Sequence, residues 1–150
     1  MNAGQLESIL KNNRHTAKYF IGVFASNNIP KPKKIKSFPC SFIANTGKLG
    51  TVGEHWVACF VNSAKHIEYF DSLAELPNND ITAYLNQYDK VLVTRRIVQN
   101  PFSDTCGHFC IYFLVTRSAG IPYCDVMETL YKTRYIDYLV KFFVQKLEKS

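Results

Sequence analysis

Val98-Gln99-Asn100-Pro101-Phe102-Ser103-Asp104-Thr105-Cys106-Gly107-His108-Phe109-Cys110 sets a turn-forming loop against an apolar stretch, with a glutamine seven positions ahead of the cysteine at the junction. Asn100 to Thr105 is rich in turn formers, and Cys106 to Val115 holds no helix breaker beyond Gly107. The pattern predicts a helix beginning at Cys106. At a helix N-terminus the unpaired backbone N–H groups and the positive end of the dipole favour a thiolate over a thiol. Cys106 therefore reads as a nucleophile, and the Gln99 amide as a hydrogen-bond donor to an oxyanion formed beside it.

A cysteine alone proves little, because free cysteines usually pack in cores. The chain has five, Cys40, Cys59, Cys106, Cys110 and Cys124. Cys59 falls in the strand-like run Trp56 to Val61, and Cys110 lies one helical turn after Cys106. What separates Cys106 from the rest is a second constellation upstream, Gly53-Glu54-His55-Trp56, followed by Glu68-Tyr69-Phe70-Asp71-Ser72. A cysteine nucleophile needs an imidazole to take its proton and return it to the leaving group, and the imidazole needs a partner that fixes its tautomer. Read as a hairpin turning near Asn62 to Lys65, the segment puts His55 at the start of one strand and Asp71 at the end of the next. In an antiparallel pair those two positions face each other.

Each residue also has a plainer reading. Cys106 could be a packing cysteine, His55 a strand-end histidine bonded to a carbonyl, Asp71 a turn cap, as Asp before Ser commonly is, and Gln99 an exposed polar side chain. Cys106, His108, Cys110 and His66 offer metal ligands, but no second pair at zinc spacing accompanies them, and no metal is assigned. His15 and His66 receive no role.

Along the chain the pattern is α+β and forms one domain over residues 1–150. Leu6, Ile9 and Leu10 give helical spacing to Gln5–Asn12. Tyr19–Ala25 and Pro30–Pro39 read as irregular or extended, with Pro30, Pro32 and Pro39 excluding a helix. Strands are expected over Phe42–Asn45, Trp56–Val61, His66–Phe70 and Val91–Ile97, with a short helix over Asn78–Tyr88. After the Cys106 helix ends near Gly120, two more helices follow. The last carries Ile136, Leu139, Val140, Phe143, Val144 and Leu147 as one apolar stripe.

A chain of 150 residues can bury roughly two-thirds of its unfolded surface, enough for a core without disulfides. The odd cysteine count, the lack of a signal-like N-terminus and the lack of an apolar run near about 20 residues point to a reducing setting without membrane insertion. Charge is uneven. Met1 to Gly50 has eight Lys or Arg against one acid, in a chain of net charge +6. Lys31, Lys33, Lys34 and Lys36 supply half of those cations in a Pro-punctuated segment. With no aromatic among them they read, by themselves, as a solvated basic loop.

The ordered set Gly53-Glu54-His55-Trp56, Asp71 and Gln99 through Cys110 resembles the adenovirus-type (adenain) cysteine proteases, including relatives in virus-like mobile elements. More distantly it resembles the proteases that cleave ubiquitin-like proteins such as SUMO. Tyr19-Phe20-Ile21-Gly22 and Ile43-Ala44-Asn45-Thr46 extend the likeness over roughly Lys18 to Cys110. The resemblance implies a papain-related α+β fold, a central mixed sheet flanked by helices with the nucleophile at a helix N-terminus. It implies Cys106 as nucleophile, His55 as general base and acid, Asp71 as orienting carboxylate, and Gln99 with the Cys106 N–H as oxyanion donors. Gly53 and Trp56 would shape substrate binding.

It further implies a monomeric endopeptidase that cuts capsid or core precursor proteins near glycine, acting in the host nucleus or cytoplasm and in the virion. No cofactor is required for the chemistry. DNA, met by Lys31, Lys33, Lys34 and Lys36, or an activating peptide would act as a non-covalent cofactor. The adenoviral enzymes attach a peptide through a cysteine upstream of the glutamine, and the absence of any Cys between Cys59 and Cys106 argues against a covalent tether. Their third residue is glutamate, whereas Asp71 is closer to the ubiquitin-like-protein proteases. Two alternatives follow: processing of a ubiquitin-like protein, and a non-catalytic nucleic-acid-binding module.

Overall fold

A computed structural model describes residues 1–47 and 55–149. Five strands lie side by side in chain order: β1 (Phe20–Ala25), β2 (Cys40–Asn45), β3 (Trp56–Ser63), β4 (His66–Phe70) and β5 (Lys90–Val93). The inner pairs, β2 with β3 and β3 with β4, are antiparallel; the outer pairs, β1 with β2 and β4 with β5, are parallel. The helices are α1 (Ala3–Asn12), α2 (Asn79–Leu85), α3 (Cys106–Ser118), α4 (Tyr123–Lys132) and α5 (Ile136–Lys149). The α+β expectation, a mixed sheet flanked by helices, is what the chain forms.

Both faces of the sheet are covered, which is why β3 reads as a continuous apolar run. Ala58 and Phe60 face a core completed by α1, α3, α4 and α5, while Val57, Cys59 and Val61 face a second core closed by Ile81, Tyr84 and Leu85 of α2. Helix α3 is wedged between sheet and helices and buries Phe109, Cys110, Ile111, Phe113, Leu114 and Val115. Phe113 stacks on Phe70 of β4, with centroids 4.7 Å apart and planes 9° from parallel. At the far end of α3, Arg117 grips Glu68 of β4 through two N–H groups, each 2.7 Å from a carboxylate oxygen, while lying over the Phe60 ring. Asn62 donates a third hydrogen bond to Glu68, at 2.8 Å. A buried carboxylate is tolerated when it is paired and bonded in this way. The pair locks the tilt of α3 on the sheet.

Several elements differ in extent from the sequence expectation: α1 and β2 each begin two residues earlier, β3 runs two residues further and β5 begins one residue earlier. The strand expected to reach Ile97 ends at Val93. Beyond it the Thr94 N–H makes one more bond to the Tyr69 carbonyl, and the N–H groups of Val98 and Gln99 then turn to the Ser72 carbonyl, at 2.9 and 3.1 Å. The lysine segment is not wholly irregular, for Pro32–Lys34 forms one 3₁₀ turn with Pro32 at its first position. There the missing proline N–H costs nothing. Helix α2 stops at Leu85, short of the expected Tyr88, and its exit tightens to i, i+3 bonds at Gln87 and Tyr88. Tyr19–Ala25, left open as irregular or extended, contains β1. The β1–β2 register slips between Phe20 and Val23 around Gly22, whose φ of +143° suits glycine.

Phe113→Ala should destabilise the protein by about 3–5 kcal/mol, the usual cost of emptying a fully buried aromatic site. Equilibrium urea unfolding measures it.

Candidate active site

The hairpin register brings His55 and Asp71 together. Ala58 pairs with Phe70, so the residues just outside the ladder, His55 before β3 and Asp71 after β4, project at the same end of the sheet. His55 Nε2 lies 2.6 Å from Asp71 Oδ1, with side chains only 11% and 4% exposed. Asp71 is also a turn cap, since the N–H groups of Leu73 and Glu75 donate to Oδ1 and Oδ2 at 2.9 and 3.2 Å. The turn cap and the contact with His55 are made by the same carboxylate. The turn forces Ala74 to φ +50°, a left-handed conformation that disfavours a β-carbon. The Asp71 backbone N–H donates to Thr94 Oγ1 at 3.0 Å.

With Nε2 committed to Asp71, the other ring nitrogen, Nδ1, is left for the sulfur of Cys106, to which His55 is hydrogen-bonded. Cys106 opens α3 and is half-buried. Burial alone would raise its pKa, but hydrogen bonds from His55 and from the backbone N–H groups of Trp56 and Gly107, with the charge of His55, bring it below the ordinary thiol value. Burial likewise opposes the His55 charge, yet hydrogen bonds to Asp71 and Cys106 and their negative charge raise it to about 10. The arrangement favours a thiolate–imidazolium pair over a neutral thiol and imidazole.

The contrast among the cysteines is sharp. Burial pushes the Cys40 thiol up to about 11 and likewise raises those of Cys59 and Cys110. Cys124 is exposed.

Gln99 is buried rather than exposed, at 4%. Its Oε1 accepts from the Ser72 hydroxyl at 2.6 Å and its Nε2 donates to the Ser103 carbonyl at 3.0 Å. Those partners fix which end of the amide is which, so one Nε2 hydrogen is left for the cleft that Gln99 lines together with His55 and Cys106. That cleft, of about 690 Å³, is walled by Asn45, Thr46, Trp56, Leu73, Glu75 and Ser103 among others.

Trp56 is half-buried on this wall, and its indole N–H donates to the Met1 carbonyl at 2.9 Å. Gly53 lies outside the described residues. Lys31, Lys33, Lys34 and Lys36 are exposed on the connection from β1 to β2, Lys36 Nζ reaching the Lys33 carbonyl at 3.0 Å, and none lines the cleft.

Sequence reasoning missed three contributors. Ser72 orients the Gln99 amide, Thr94 anchors the Asp71 backbone, and the Trp56 main chain meets the sulfur. Ser72 adjoins Asp71 and Trp56 adjoins His55, so both stood beside a signal in the sequence, Trp56 for its side chain and not its main chain; Thr94 acts through a contact that no spacing reports. Among the described residues no cluster of His, Cys, Asp or Glu could hold a metal ion, and no helix is long and apolar enough to cross a membrane.

The fold is that of ASFV pS273R protease. The chain superposes on its crystal structure with a TM-score of 0.58 at 16% identity, over 93% of this chain and 63% of that one. A selenomethionine crystal structure of the same protease gives 0.40 at 24% identity, over 63% of this chain and 43% of that one. This chain thus spans under two-thirds of the length of the protease it matches. No family model and no curated protein sequence matches it.

Iodoacetamide should label Cys106 selectively at about pH 6, where unactivated thiols, with pKa near 8.5, are almost fully protonated. Because His55 lowers the Cys106 pKa, His55→Ala should move the midpoint of the alkylation profile to higher pH. Mass spectrometry of labelled peptides across a pH series reads both.

Proposed function

We propose that the protein is a cysteine endopeptidase in which Cys106, His55 and Asp71 form the catalytic triad and Gln99 donates to the oxyanion. The observation carrying this reading is the convergence of Cys106, His55 and Gln99 on one cleft, with the imidazole held by Asp71 at 2.6 Å. The fold shared with a protease supports it.

In this mechanism the Cys106 thiolate attacks the scissile carbonyl carbon. The resulting oxyanion receives hydrogen bonds from Gln99 Nε2 and from the Cys106 backbone N–H at the start of α3. His55 gives its proton to the departing amine as the C–N bond breaks, leaving a thioester and a neutral imidazole. The imidazole then takes a proton from water, the hydroxide oxygen adds to the thioester carbonyl, and the thiolate leaves. Asp71 keeps the ring oriented throughout. Trp56 and Gly53 are assigned to substrate binding.

The substrates we propose are capsid or core precursor proteins of a virus or virus-like element, cut near glycine. Asp71, in place of the glutamate of adenoviral enzymes, favours a second reading, the trimming of a ubiquitin-like protein. Viral-type glycine-containing peptides run beside SUMO and ubiquitin conjugates separate the two. We assign Lys31, Lys33, Lys34 and Lys36 to nucleic-acid contact, with DNA acting as a non-covalent cofactor.

Cys106→Ala should abolish cleavage while leaving the circular dichroism spectrum unchanged, and retained turnover in that variant would overturn the assignment. Gln99→Ala should lower kcat by about 10²–10³-fold, the cost of one oxyanion donor. If all four lysines meet phosphates, the logarithm of DNA affinity should fall with the logarithm of salt at a slope of about −3 to −4. A flat salt titration removes the DNA assignment.

A further inference from the structure

One carboxylate outside the triad gathers the loop between Gln99 and Cys106. Asp137, in the first turn of α5, accepts the Asn100 backbone N–H on both oxygens, at 3.2 and 3.0 Å from Oδ1 and Oδ2. The hydroxyls of Ser103 and Thr105 stand 2.7 and 2.6 Å from its Oδ1. Three points of a six-residue loop thus converge on a single side chain that belongs to another element.

Two of those points bear on the oxyanion donors. Asn100 follows Gln99 directly, and the Ser103 carbonyl is the acceptor that holds Gln99 Nε2. The third concerns the helix end. Thr105 is the N-cap of α3, a position where a threonine hydroxyl ordinarily bonds the backbone N–H groups of the first turn. Here it makes no such bond and is turned to Asp137 instead. Thr105 thus ties the last residue of the loop to the same carboxylate that holds its first.

We propose that Asp137 is a positioning residue for oxyanion stabilisation, aiming the Gln99 amide through Asn100 and Ser103. The proposal rests on the cysteine-peptidase reading of the site. It does not place Asp137 in contact with substrate.

Two reactions of Cys106 separate this role from a structural one. Hydrolysis of p-nitrophenyl acetate passes through an oxyanion, whereas alkylation by iodoacetamide is displacement at saturated carbon and forms none. Asp137→Ala should lower kcat for the ester by about tenfold or more and leave KM within about threefold, as loss of a transition-state interaction does. The alkylation rate of Cys106 should stay within about twofold, since the thiolate and its His55 partner are untouched. In a Gln99→Ala background the same substitution should have little further effect, because the two act as a unit.

Unchanged ester turnover, equal falls in both reactions, or full additivity with Gln99→Ala would overturn the proposal. Should Asp137→Ala fail to fold, Asp137→Asn serves in its place. It keeps an oxygen for the two hydroxyls but turns an N–H toward Asn100, and must show the same split between the reactions. Wild-type protein with neither Cys106-dependent ester hydrolysis nor selective alkylation would overturn the reading of the site itself; an active wild type with no split removes only the role of Asp137.

Discussion

The contact between His55 Nε2 and Asp71 Oδ1 depends on a register. A slip of one residue between β3 and β4 would send every side chain of one strand to the opposite face and separate the pair. That slip is prevented from both sides of the sheet, because Ala58 and Phe60 must enter one core while Val57, Cys59 and Val61 enter the other. The geometry of the His55–Asp71 pair is therefore held by the same burial that holds the fold. The Asp71 turn adds a local cost, a left-handed Ala74 of roughly 1–2 kcal/mol, which the two N–H bonds to the carboxylate offset.

Cys106 arrives from the other direction, on α3. This helix is fastened at its far end by Arg117 and Glu68 and along its length by the Phe70–Phe113 stack, so its first residue is delivered to a set place above β3. Electrostatics then decides the protonation state. Burial works against a thiolate at every sheltered cysteine of the chain, and at Cys40, Cys59 and Cys110 it prevails. At Cys106 the imidazole and two backbone N–H groups outweigh it. The difference lies in the donors around the sulfur rather than in depth.

Much of this was legible in the sequence. The loop-to-helix junction at Cys106 could be seen because turn formers give way to an unbroken apolar run, and the His55–Asp71 meeting because two strand-like runs flank a turn near Asn62 to Lys65. The extent of β5 was not legible, since Thr94 to Ile97 keeps a strand-like composition and only the tertiary pull of the Ser72 carbonyl ends the ladder. Nor could the burial of Gln99 be read, because its partners Ser72 and Ser103 are fixed by three-dimensional closure of the loop. Asp137 lies 31 positions after Cys106 in a helix whose apolar stripe was the clear signal. Nothing in that stripe marks the carboxylate beside it.

The outer strands of the sheet have a consequence of their own. β1 is broken in register at Gly22, and β5 is four residues long and begins with a lysine. Short, bulged or charged margins are what keep a β protein from being extended by a stranger's backbone. A polypeptide laid along either border would find too few aligned amides to zip onto this molecule. For the peptidase proposed above, an extended substrate would then be recognised by the side chains and turns around the sulfur, and selectivity would be a matter of local shape rather than of main-chain pairing.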